Sequence, residues 1–199
     1  MLLRKYCVVI NYKNFFDNLC KNYLKSLKYH YIMGIDLYCG DETFSCSYTS
    51  WNNIRNSLIE ATFEYLEVYF AVTEYEEGTH EHGAMIALKQ YIQKIQNLGK
   101  NEKLIVNFIV YSRILEFIDL LIQFGVGGLY ALCNTSDCDG FYSAGNSYDI
   151  CELLKLVKPF LLKNKDELYS NENWIYNRID KVTNIFKEGF EKNKFVRIC

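Results

Sequence analysis

The chain has 199 residues, half of them hydrophobic and 16% aromatic, enough apolar material for one sizeable core, which excludes a largely disordered chain. Its formal net charge of −2 at pH 7 is unevenly spread: Arg4, Lys5, Lys13, Lys21, Lys25 and Lys28 against Asp17 make residues 1–32 basic by +5, leaving −7 for the rest. An acidic body disfavours nucleic-acid binding, whose affinity comes mostly from cations neutralising phosphates.

In chain order, residues 1–32 form a basic leader. Phe16, Leu19, Cys20, Tyr23, Leu24 and Leu27 follow helical spacing with lysines between them, which allows a basic amphipathic helix docking on a membrane surface or a partner; the alternatives are an ordinary packed helix or translated upstream sequence outside the true protein, and a peripheral leader is expected. The apolar run from Cys7 to Ile10 is too short for a secretory signal, and no small-residue cleavage site follows it. A reducing, cytoplasmic setting is therefore expected, with the eight cysteines free and mostly buried. At Met33 the character changes to "MGIDLYCGDETFSCSY", the expected start of the folded domain. Tyr38 stands where a myristoylation signal starting at Met33 would need Ser or Thr.

Gly34 to Cys39 is short, apolar and bounded by glycine, which suits a buried strand. Trp51, Ile54, Leu58, Ala61, Tyr65 and Tyr69 share a helical face, with Ser50 as its expected N-cap. After the polar stretch "TEYEEGTHEHG", a second helix carries Met85, Leu88, Ile92, Ile95 and Leu98 on one face and stops at Gly99. Residues 104–124 are apolar enough to raise the question of a membrane span. Ser112, Glu116, Asp119 and Gln123 recur at helical spacing, with Asn107 and Arg113 adding cost in lipid, and predict instead a central core helix with one wet edge and no transmembrane segment. "GVGGLY" breaks it. A fourth helix carries Ile150, Leu154, Val157 and Leu161, capped by Ser147 with Pro159 near its end, and a fifth carries Ile175, Ile179, Val182, Phe186 and Phe190. The tail "KFVRIC" is expected to pair as a strand with residues 34–39.

The densest polar chemistry lies in "CNTSDCDGFYSAGNSYD", residues 133–149, read as an acidic loop between hydrophobic segments. Asp137, Asp139, Ser143, Asn146 and Asp149 offer hard oxygen ligands for a divalent cation, with Gly140 allowing a sharp turn. In an EF-hand register with Gly140 sixth, the loop would run from Thr135 to Asn146, and only Asp137 and Asp139 match; the terminal Glu is missing. The alternative is a turn whose Asp and Asn side chains bond their own backbone and cap the next helix. His80 and His82 with Cys133 and Cys138 would make a Cys₂His₂ zinc set if the segments met, although a His-x-His pair reaches one metal from a strand more readily than from a helix. The other reading is a solvated acidic stretch. "GIDLYCGDETF" resembles the first phosphate-binding element of actin-like and ribonuclease H-like folds, and that resemblance implies that Asp36 with Asp137 or Asp139 could hold a metal for phosphoryl transfer. "GVGGL" fits no nucleotide-binding loop.

"MGIDLYCG", "SDCDG" and the helix opening at "YDICELL" together resemble a group of uncharacterised proteins of bacteria and large DNA viruses. The resemblance implies a self-contained domain starting near Met33 and transfers no catalytic residues; related sequences more often carry His near the position of Asn134. The expected architecture is a helix-rich α+β domain over residues 33–199, with about five helices and a small sheet joining its N- and C-terminal strands. The expected function is a non-catalytic domain binding a protein or small-molecule ligand through residues 133–149 and Asp36. The alternative is a metal-dependent enzyme acting on phosphate esters through Asp36, Asp137 and Asp139.

Overall fold

The computed structural model describes residues 34–98, 104–135, 140–161 and 174–199. The leader, Met33, the stop expected at Gly99, and Asp137, Cys138 and Asp139 lie outside the described residues. What is described is helix-rich α+β: a four-stranded antiparallel sheet with helices packed on one face.

Strands β1 (Gly34–Cys39) and β2 (Glu42–Ser47) make a hairpin in register from Gly34 opposite Ser47 to Cys39 opposite Glu42. Only Gly40 and Asp41 turn the chain, and Gly40 has φ 60°, a left-handed conformation that costs glycine little and fits the first central position of a type II′ turn. Strands β3 (Gly140–Tyr142) and β4 (Val196–Ile198) complete the sheet in the order β2-β1-β4-β3. The expected pairing of "KFVRIC" with residues 34–39 is present: Leu37 opposes Ile198 and Tyr38 opposes Arg197.

Side chains alternate across a strand, so one face is buried and the other is not. Ile35, Leu37, Cys39, Phe44, Tyr142, Val196 and Ile198 form the inner face, all at most 5% exposed. Each such side chain contributes on the order of 1.5–3 kcal/mol when removed from water. Phe44 meets Trp51 of the first helix at 6.4 Å, and Tyr142 packs edge-on against Phe186 at 5.0 Å.

Seven helices follow among the described residues: α1 (Tyr48–Val72), α2 (His80–Leu98), α3 (Leu104–Tyr111), α4 (Leu115–Gln123), α5 (Gly128–Asn134), α6 (Ala144–Leu161) and α7 (Trp174–Glu191). Helix α1 starts one turn earlier than expected, because Ser47 at the strand end accepts the Ser50 backbone N–H at 3.1 Å. It buries residues from Tyr48 to Phe70 on most of its circumference and packs against α3, α5, α6 and the β1–β2 hairpin. Helix α7 lies under β1, β2 and β4 and against α6. Gly189 permits that approach: a Cβ there would meet Val196 Cγ2 at 2.7 Å and Ser147 Oγ at 3.1 Å.

Three expectations are corrected. Residues 104–124 are two short helices, and the central position belongs to α1. Ser112–Ile114 interrupt them, with Ile114 extended at φ −91°, ψ 113°. Ser112 is 1% exposed and not part of a wet edge, since its hydroxyl lies 2.8 Å from Ile109 O and 3.0 Å from Asn134 Oδ1; Glu116, Asp119 and Gln123 do line the exposed side of α4. Ser147 lies buried inside α6 and does not cap it, because Ser143 Oγ, one turn earlier, accepts the Asn146 N–H at 3.1 Å. No helix among the described residues is long and apolar enough to cross a membrane.

Candidate binding face of the sheet

Among the described residues the helices pack on the inner face of the sheet, and the alternation that buries Leu37, Tyr142, Val196 and Ile198 turns their neighbours to the other face. The pairing register aligns one outward row across all four strands: Thr43, Tyr38, Arg197 and Phe141. A second row places Ser45 beside Asp36. Phe195, two positions before Arg197, adds a ring that meets Phe141 edge-on at 5.2 Å and 77°. Phe141 is 64% exposed and Phe195 65%.

Hydrogen-bond geometry brings the Phe141 and Arg197 side chains close. Asp36 and Cys199 exchange both backbone bonds at 3.0 Å, so Tyr38 and Arg197, two residues on, form the next bonded pair of β1 and β4. Arg197 therefore turns its backbone away from β3 and meets Phe141 as a non-bonded pair, the closer spacing, with Cα atoms about 4.5 Å apart. Gly140, Phe141, Phe195 and Arg197 line an open recess of about 350 Å³. Arg197 is exposed and makes no ion pair among the described residues. Across β1, partial desolvation and the negative charge of the nearby Asp36 carboxylate hold the Tyr38 phenol above its usual range. The face thus grades from hydroxyls and a carboxylate on β2 and β1 to a cation and two rings on β4 and β3.

The described residues singled out from the sequence lie on different elements, and Asp137, Cys138 and Asp139 are outside the description. Asp36 is half-buried on the outer face of β1. Ser143 and Asn146 are brought together in the cap of α6, and Asp149 follows in the same helix, its carboxyl pushed up by desolvation. The stretch read as one acidic loop, residues 133–149, is instead the end of α5, strand β3 and the first turns of α6, with only residues 136–139 outside the description. His80 and His82 open α2, where Thr79 Oγ1 accepts the His82 N–H at 3.2 Å. Two positions along a helix point about 200° apart, so the two imidazoles are not presented to one metal. Cys133 is buried on α5, and Cys39 and Cys151 are buried as well. Among the described residues no three His, Cys, Asp or Glu side chains are grouped as a metal site.

Sequence reasoning missed Tyr38, Phe141, Phe195 and Arg197. Their signal was present: once "KFVRIC" is paired with "GIDLYC", strict alternation puts Phe195, Arg197 and Tyr38 on the face opposite Val196, Ile198 and Leu37. Comparison of the chain with protein-family models, curated proteins and solved structures gave no match.

Proposed function

We propose that the protein is a non-catalytic binding domain whose ligand docks on the outer face of the sheet. The supporting observation is the Phe141–Phe195 pair, two rings each nearly two-thirds exposed beside Arg197, which makes no ion pair among the described residues. Most singly exposed apolar residues need no explanation, whereas grouped aromatics on a rigid sheet, rimmed by polar side chains, mark interaction surfaces. Arginine and aromatic residues are also the types enriched where binding energy concentrates.

The test is a fragment screen read from the backbone amide spectrum of the full chain. Fragments are expected to perturb the amides of Tyr38, Phe141, Phe195 and Arg197 in the wild type and to leave them unmoved in a Phe141→Ser/Phe195→Ser variant that is still folded. Hits that map to other surfaces, or unaltered binding by that variant, would refute the reading.

A further inference from the structure

We infer that the recess beside β3 takes a small organic monoanion, a planar apolar body carrying a single carboxylate. This rests on the outer face being the binding surface and specifies what binds there. The body of such a ligand would lie against Phe141 and Phe195, and its carboxylate would accept from the Arg197 guanidinium, whose planar fork matches a carboxylate with two parallel hydrogen bonds.

Three observations choose this class. The recess holds about 350 Å³, at the lower end of the about 300–1,000 Å³ typical of small-molecule sites, and so matches one compact molecule rather than an extended chain. Among the described residues Arg197 is the one cation lining the recess and makes no ion pair, which calls for one countercharge. Asp36 stands on the neighbouring strand, diagonal to Arg197, since Asp36 opposes Cys199 and Tyr38 opposes Arg197. Its carboxylate makes no ion pair with Arg197 and repels a second negative charge on the ligand. That carboxylate and the −7 charge of residues 33–199 both work against phosphate dianions and polyanions.

The probes are 2-naphthoate, its uncharged isostere 2-naphthamide, 2-naphthyl phosphate and an eight-residue oligothymidylate, each titrated into the labelled full chain at low salt. Naphthoate is expected to shift the amides of Phe141, Phe195 and Arg197 and to bind about ten-fold more tightly than the amide, one charge-assisted pairing being worth that much. An Arg197→Gln variant, whose spectrum elsewhere is unchanged, is expected to bind acid and amide alike. Equal binding of acid and amide by the wild type, or tighter binding of the phosphate or the oligonucleotide at the same amides, would overturn the inference while leaving the binding face standing. No response of these amides to any probe would count against both.

Discussion

Gly128 sits against the backbone of α6 at Asp149 and Ile150: a Cβ built on it would lie 2.6 Å from the Asp149 carbonyl carbon and 2.8 Å from the Ile150 nitrogen. Backbone cannot rotate aside as a side chain can. Gly128→Ala is therefore expected to destabilise the fold by about 1–3 kcal/mol or more, the usual cost of overpacking, despite alanine's better helix propensity. Urea denaturation of the two proteins measures it; an unchanged or raised midpoint would show that α5 and α6 can part without loss.

The two faces of β3 should separate binding from stability. Phe141 and Phe195 are largely solvated, so replacing both with serine is expected to cost no more than about 1 kcal/mol, the scale of one exposed aromatic pair. Tyr142, fully buried against Phe186, is a core residue, and Tyr142→Ala is expected to cost about 3–5 kcal/mol. Thermal melts of the variants would contradict this assignment of faces if the serine pair proved the more damaging.

The break between α3 and α4 depends on a contact across 22 residues of sequence. Ser112 directs its one proton between Ile109 O and Asn134 Oδ1, and Asn134 Nδ2 donates to Tyr130 O at 3.1 Å. Ser112→Ala and Asn134→Ala are each expected to cost about 1–2 kcal/mol. Because they share the contact, a double-mutant cycle should return a coupling of about 0.5 kcal/mol or more; strict additivity would show that the interruption is held by something else.

Cys151 gives the fold a dependence on alkaline pH. It is 4% exposed between α6 and α7, with Sγ 3.8 Å from Thr183 O, and burial pushes its thiol up from 9.0 to about 11. The native state thus keeps this proton where the unfolded chain has lost it. Its contribution is intact below pH 9 and declines as pH rises towards 11, by at most about 1.4 kcal/mol per pH unit. The Tyr75 and Tyr91 phenols, each raised to about 12 by desolvation first, add their own decline above pH 10. The comparison that isolates the thiol is wild type against Cys151→Ala in urea from pH 8 to 11. The wild-type curve should fall more steeply between 9 and 11; parallel curves would mean that the thiol ionises freely in the native state.

What could be read from the sequence was whatever depended on local pattern. Residues 34–39 announced a strand as a short apolar run bounded by glycine, and Trp51, Ile54, Leu58 and Ala61 announced a helix through their period. The interruption at Ser112–Ile114 carries no glycine or proline, and Ser112 there bonds the distant Asn134, a contact no window can see. Strand β2 buries only Phe44 well, so the apolar alternation expected of a strand was nearly absent; the Gly40-Asp41 pair was the usable sign of a hairpin and was passed over. The carboxylates of residues 133–149 drew attention because charged groups stand out in a sequence. Phe141, Phe195 and Arg197 gain their meaning only from the register that aligns strands far apart in the chain.

That register also makes the sheet the most long-range part of the fold, and an order of folding is expected from it. The middle of the sheet joins Leu37 to Ile198 and Gly140 to Ile198, so β1 and β3 must wait for β4 before they acquire a neighbour between them. Closure over so long a separation is slow compared with helix formation. The α-helical layer can therefore assemble around α1 first, and the outer face, drawn from positions 38, 141, 195 and 197, comes into being only when the last strand locks in. Binding at the proposed face would then double as a readout of maturation, since a nascent or partly collapsed chain has no such surface to offer.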